Sequence, residues 1–177
     1  MSTRQTLSSP LACALVSRDG VAVYCEPGTA AAVPCPAGRR ANVSLNFLTS
    51  ENDCILCEAG MSCSVGSVEQ VPCLPGFYAV SAGQSACVAC AGGLFQPAVG
   101  ATACESCGRG NYRPPGSSAE SPCRQGSYSN APRLAYATNC TSCPAGSACA
   151  TGSTAPTPCV AGSVTDRTSL SECAPCV

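Results

Sequence analysis

Apolar and polar positions alternate along this chain only in short bursts, and no burst is long enough for a helix. The clearest, Val21-Ala22-Val23-Tyr24, predicts one short strand. From Cys25 onward the text between cysteines is Ser, Ala, Gly, Thr, Asn and Val, in pieces suited to two-stranded hairpins. The expected fold is therefore small, disulfide-rich and mostly irregular, with short β-hairpins arranged as an elongated tandem-repeat rod. No apolar run approaches the roughly 18 residues that a spanning helix needs, so no membrane span is expected. Arg4 followed by Leu7 to Val16 faintly matches a secretion signal, but Ser8, Ser9 and Pro10 interrupt it. The plainer reading is an N-terminal arm, or a sequence whose start lies upstream.

The cysteines impose the order that the apolar pattern lacks. Cys25, Cys35, Cys57, Cys63, Cys73, Cys90, Cys107, Cys123, Cys143, Cys149 and Cys159 are each followed by Gly three places on, and these act as openers. Cys54, Cys87, Cys104, Cys140 and Cys173 are instead followed by Cys three places on, and act as closers. Cys-x-x-Gly predicts a tight turn just after a bridge, where Gly takes positive φ without a Cβ clash. Tyr78, Phe95, Tyr112 and Tyr128 stand five places after an opener and are expected to lie over the adjacent disulfide as structural residues. Cys54, Cys57, Cys63, Cys73, Cys87 and Cys90 recur at an offset of 86 residues as Cys140, Cys143, Cys149, Cys159, Cys173 and Cys176. This divides the chain into an arm (1–24), a first array (25–90), linking modules (91–139) and a second copy of the 54–90 array (140–177).

Composition explains why cross-links are needed. Leu, Ile, Val and Phe make up only 28 of the 177 residues, whereas there are 18 Cys, 17 Gly and 15 Pro. A chain so poor in large apolar residues builds little core, and this usage is that of an extracellular cross-linked scaffold. Charge is sparse and balanced, with 9 basic and 10 acidic residues and neither Lys nor His, so no patch is expected to hold a nucleic acid. Lacking His and Lys, the chain also lacks the usual general bases and amine nucleophiles, which argues against an enzyme and names no catalytic residue.

The segments Cys73-Leu-Pro-Gly-Phe-Tyr78 through Cys87-x-x-Cys90, and Cys143-Pro-Ala-Gly-Ser-Ala-Cys149 through Pro158-Cys159, resemble the ephrin-receptor-like cysteine-rich repeat. That repeat is typified by Cys-Pro-x-Gly-x-Tyr, a spacer, then Cys-x-x-Cys, and the resemblance extends over about residues 25–177. It implies disulfide-linked hairpin modules of extracellular proteins, including receptor ectodomains and tandem arrays such as the mastigoneme proteins of algae and protists. The sequence departs from the pattern where Arg40 and Val164 replace the aromatic, and where Arg113 replaces the middle cysteine found in 57–73 and 143–159.

Five Cys-x-x-Cys pairs raise zinc as an alternative, and Cys87-x-x-Cys90 with Cys104-x-x-Cys107 comes near zinc-ribbon spacing. The openers between the pairs, the missing His and the glycan acceptors favour disulfides, so neither metal nor cofactor is expected. A thioredoxin-like context for redox catalysis is not visible. Nearest-neighbour pairing gives 13–25, 35–54, 57–63, 73–87, 90–104, 123–140, 143–149 and 159–173. By analogy with interleaved receptor modules, a crossed scheme of 57–73 with 63–87 and 143–159 with 149–173 stays open. The first scheme leaves Cys107 and Cys176 over, as candidates for a bond between molecules or for a pair within one chain.

Asn42-Val43-Ser44 and Asn139-Cys140-Thr141 are N-glycan acceptors, and Thr151, Ser153, Thr154 and Thr157 lie in a Ser/Thr/Pro-rich run suited to O-glycans. The function expected is a secreted, non-enzymatic structural protein, assembling with itself head to tail into an extracellular filament or appendage, or coating one. The alternative is a ligand-binding receptor ectodomain fragment, with Phe47 to Asp53 as its contact loop.

Overall fold

The computed structural model describes residues 15–29 and 31–176. Among these, regular structure is confined to two-stranded antiparallel ribbons and two single 3-10 turns, Glu51–Asp53 and Ala137–Asn139. In chain order the ribbons are β1 (Val23–Tyr24) with β2 (Val33–Pro34), β3 (Arg39–Ala41) with β4 (Cys54–Leu56), β5 (Met61–Ser62) with β6 (Val71–Pro72), and β7 (Phe77–Tyr78) with β8 (Val88–Ala89). They continue as β9 (Leu94–Phe95) with β10 (Glu105–Ser106), β11 (Asn111–Tyr112) with β12 (Ser121–Pro122), and β13 (Ser127–Tyr128) with β14 (Thr141–Ser142). The last are β15 (Ser147–Ala148) with β16 (Thr157–Pro158), and β17 (Ser163–Val164) with β18 (Ala174–Pro175). The expected disulfide-rich hairpin fold is thus found, and of the strand read over 21–24 the residues Val23–Tyr24 form β1.

Two compact units are formed. The first holds the described residues up to Cys73 together with Ala79–Cys87; the second holds Leu74–Tyr78 and residues 88 onward. The first has the larger side-chain core, in which Ala22, Tyr24, Ala41 and Leu48 pack with Cys35 and Cys54. In the second unit the buried hydrophobic side chains are all cysteines, accompanied by the buried polar residues Gln96, Arg113, Ser129 and Thr165, because the sequence supplies little else of low polarity.

Seven disulfides join pairs of described residues: 35–54, 57–63, 73–87, 90–104, 123–140, 143–149 and 159–173. They join nearest neighbours, and none of the crossed pairs 57–73, 63–87, 143–159 or 149–173 is formed. Cys25 is also disulfide-bonded. Cys13 lies outside the described residues, so the 13–25 pairing does too.

What stacks one hairpin on the next is backbone hydrogen bonding. Four bonds link module 57 to module 73: Cys73 N–H donates to Gly60 C=O, Gly60 N–H to Ala79 C=O, Gly83 N–H to Cys57 C=O and Cys63 N–H to Gln84 C=O. Adding 86 to every number gives the four bonds that link module 143 to module 159: Cys159 to Gly146, Gly146 to Thr165, Ser169 to Cys143 and Cys149 to Leu170. The same set links 35 to 57, 90 to 107, 107 to 123 and 123 to 143. The sequence repeat at 86 is therefore a repeat of hydrogen-bond partners as well as of cysteines. The donor in the third bond sits in a left-handed turn, supplied by Gly83, Gly116 and Gly152 but also by Arg133 and Ser169, each at φ 63°.

Candidate functional site

No concave site dominates the surface of the described residues. The hollows beside 122–125 and beside 158–163 are shallow, and among the described residues no cluster of three His, Cys, Asp or Glu is placed to hold a metal ion. In the zinc-like quartet, Cys87 is bonded to Cys73 and Cys90 to Cys104, so those sulfurs are not free to ligate. No helix among the described residues is long and apolar enough to cross a membrane.

In the modules opened by Cys35, Cys57, Cys73, Cys90, Cys107, Cys123, Cys143 and Cys159 the inward position is the sixth residue after the opener. Ala41, Cys63, Ala79, Gln96, Arg113, Ser129, Cys149 and Thr165 occupy it, and all are buried. The aromatics expected to serve as each module's core, Tyr78, Phe95, Tyr112 and Tyr128, are only half-buried on the preceding residue. Cross-strand geometry explains the difference, since successive side chains on a strand point to opposite faces. Where the sixth residue is Cys63 or Cys149 it bonds its own opener; where it is Gln96 or Ser129 it closes its own loop. Gln96 Nε2 donates to Ala103 C=O at 2.7 Å and Ser129 Oγ donates to Ala131 C=O at 3.0 Å.

Arg113 is the exception. It takes the place of a bridge-forming cysteine, its opener Cys107 is a buried free thiol, and its side chain is fully buried. The guanidinium carbon lies 3.1 Å from the centre of the Phe95 ring, and the group forms an ion pair with Glu120. Burial pushes its pKa below the usual arginine value, while Cys107 and Glu105 act in the opposite direction. A stacked, planar, long-stemmed cation fills the volume a bridge would have closed. Reinstating the cysteine tests this. Arg113→Cys is expected to form a 107–113 bridge matching 57–63 and 143–149, whose Cα separations are 6.3 and 5.8 Å. In the chain-entropy picture such a short loop adds about 2 kcal/mol. Thiol counting on the unfolded protein would find Cys107 consumed; a variant with Cys107 still titratable would contradict the equivalence.

The two leftover cysteines differ. Cys107 is buried at 1% exposure, whereas Cys176 is exposed. Of the two candidates for a bond between molecules or within one chain, Cys176 is the one presented at the surface, and the two are not joined to each other in this structure.

The loop proposed as a ligand contact is rigidly built. Leu48 is buried at 1% exposure while Phe47 is 60% exposed. Asp53 Oδ2 accepts from Thr49 N–H at 2.7 Å, Thr49 Oγ1 at 3.0 Å and Ser50 N–H at 3.0 Å. The Thr49 backbone bond, first, and the other donors hold the Asp53 carboxyl below its ordinary value of 3.8. A depressed carboxyl pKa means that the staple is complete above the unfolded value and is lost as pH falls through the folded one. Exchange of the Thr49 and Ser50 amides should therefore stay slow at pH 5 and accelerate only below about pH 3.8; acceleration already between pH 6 and 5 would contradict the assignment.

Of the glycan acceptors, Asn42 is half-buried and its Oδ1 accepts from Ser44 N–H at 3.2 Å. Asn139 is exposed and its Oδ1 accepts from Tyr136 N–H at 3.0 Å. Thr151, Thr154 and Thr157 are exposed; Ser153 is half-buried and its Oγ donates to Ala150 C=O at 2.7 Å.

Residues 76–123 match the family model described as tyrosine-protein kinase ephrin type A/B receptor-like. No curated protein matches the chain. The matched span contains the 90–104 bridge, the Phe95–Arg113 stack and the free Cys107.

Proposed function

We propose, from the ephrin-receptor-like character of residues 76–123, that this is a secreted, non-enzymatic structural protein that assembles with itself into an extracellular filament or cell-surface appendage, or coats one. The observation that carries the reading is that, apart from Arg113, the inward positions hold a bridging cysteine, an alanine or a hydrogen-bonded polar residue, and that modules are joined by a repeated set of backbone bonds. Such a framework is covalently braced and indifferent to side-chain identity, which suits a load-resisting spacer better than a selective pocket. Glycans on Asn42, Asn139, Thr151, Thr154 and Thr157 would cover it, with Ser153 the least available of the proposed acceptors because its hydroxyl is engaged. Electron microscopy of native material tests the proposal: fibres or appendages with a regular axial repeat support it, and dispersed single particles overturn it.

The second reading, a ligand-binding ectodomain fragment, is favoured by one feature. Phe47 projects from a loop already fixed by Asp53, so a contact there would lose little conformational freedom on binding. Substitution of Phe47 that abolished attachment to a partner, with assembly intact, would favour it.

A further inference from the structure

Asn139 belongs to two patterns at once. With Cys140 and Thr141 it forms a glycan sequon, and the middle residue of that sequon is bonded to Cys123. In the fold the same asparagine caps a turn. Its Oδ1 accepts from Tyr136 N–H at 3.0 Å, its own N–H donates to Tyr136 C=O at 3.0 Å, and Cys140 N–H donates to Ala137 C=O at 3.1 Å. Thr141 opens β14 and pairs with Tyr128 of β13. Asp53 stands 86 residues earlier and does the same work, since its Oδ2 accepts from Ser50 N–H at 3.0 Å in a 3-10 turn that also ends on a bridged cysteine, Cys54. A capping oxygen just before the closer is thus a structural feature used in both places. At Asn139 it is also the group to be glycosylated.

We propose that Asn139 accepts a glycan only before the 123–140 bridge closes, so that the rate of closure sets its occupancy. Transfer needs the carboxamide nitrogen as a nucleophile, and its lone pair is delocalised into the carbonyl until the transferring enzyme twists the group and holds Oδ1 itself. In the closed turn Oδ1 is committed to Tyr136, and the backbone around it is tied by the turn, the bridge and β14. Without the bridge, a single turn and a two-residue ribbon do not persist in water. In the transfer, Nδ2 bonds to the anomeric carbon of an oligosaccharide carried on a polyprenyl diphosphate. The bond from that carbon to the diphosphate oxygen breaks, the lipid diphosphate leaves as an anion, and Nδ2 gives up one proton. In the competing step the thiols of Cys123 and Cys140 lose two protons and two electrons to oxidised glutathione, which is reduced to two thiols.

The order of synthesis makes this a race. Thr141, which completes the sequon, follows Cys140 by one residue, so at about 5–20 residues per second neither step leads by even about a second. At Asn42 the sequon is complete at Ser44, ten residues before Cys54 is made and can bridge to Cys35, and it contains no cysteine. Asn42 therefore has a lead of about 0.5–2 s. In the finished fold Asn139 is exposed, so a glycan already in place is compatible with the bridge, and both glycoforms share one set of disulfides. This rests on the glycan coat proposed above and adds what regulates it.

The full chain, translated behind a secretory leader into microsomes with oxidised glutathione present, tests this. Peptide mass analysis gives the glycosylated fraction at Asn42 and at Asn139 for the wild type, Cys123→Ser and Cys159→Ser. The second variant opens the 159–173 bridge and leaves 123–140 able to form, so it controls for misfolding in general. Cys123→Ser is expected to raise the fraction at Asn139 at least twofold, with Asn42 unchanged and Cys159→Ser equal to the wild type at both sites. Withholding oxidised glutathione while the wild-type chain is made should raise Asn139 in the same way. Equal occupancy of Asn139 in the wild type and Cys123→Ser, or the same rise in Cys159→Ser, overturns the proposal; with Asn42 glycosylated, either result leaves the glycan coat standing. Absence of glycan from both asparagines in all three proteins overturns the coat and the proposal together.

Discussion

Reducing the disulfides is expected to unfold the whole array rather than loosen it. Loops of the observed lengths, 6 to 19 residues, each contribute about 2–3 kcal/mol in the chain-entropy model, so the seven together exceed the roughly 5–15 kcal/mol net stability of an ordinary domain. Little else opposes unfolding. The strands are two or three residues long, and isolated two-stranded ribbons are marginal in water. The backbone bonds between modules depend on each opener being held beside its own turn, so breaking bridges dissolves the stack along with the hairpins. Dithiothreitol should collapse the dispersed amide and methyl resonances of the protein to those of an unfolded chain, at a temperature where the oxidised protein is fully folded. A reduced protein that retained dispersed resonances would mean that burial, and not cross-linking, maintains the fold.

The second large effect comes from two glycines with nearly the same backbone and different surroundings. Gly110 and Gly146 have φ of 77° and 76°, so alanine at either incurs the same left-handed penalty of about 1–2 kcal/mol. At Gly146 a Cβ meets nothing within 4 Å, whereas at Gly110 it falls on the carbonyl oxygen of Gly152. That carbonyl belongs to the turn whose amide donates to Cys123 C=O at 2.9 Å, so it cannot retreat without disturbing the stacking bonds. Gly110→Ala is therefore expected to lose about 1–3 kcal/mol more than Gly146→Ala, the usual range for overpacking. Calorimetry of the two variants checks this difference directly. Equal losses would show that the turn yields without cost and that the close approach of modules contributes nothing.

Much of this was legible in the cysteines. Cys-x-x-Gly marked where the chain turns and accepts the next opener, and Cys-x-x-Cys marked where one module closes and the next opens. The hairpins followed from the short, uncharged spacers. The inward position was not legible, because Ala41, Cys63, Gln96, Arg113 and Thr165 share a place and no chemistry. The phenyl and phenol rings one residue earlier gave the stronger apolar signal and turned out half-buried. Arg113 could be read as a missing cysteine, but its burial depends on Phe95 in the preceding module, which no local pattern connects to it. The left-handed turn was equally hidden, since Arg133 and Ser169 stand where other modules use glycine. Backbone bonds across the stack fix those two residues, and backbone bonds leave no compositional trace.

The central claim is that covalent bridges and one repeated set of backbone bonds, in place of a side-chain core, build this protein. Amide hydrogen exchange measured by NMR on the oxidised protein tests it most directly. Slow exchange is predicted at Gly60, Gly93, Gly110, Gly126 and Gly146, whose amides donate between modules. Uniformly fast exchange at these glycines, with the disulfides intact, would contradict it.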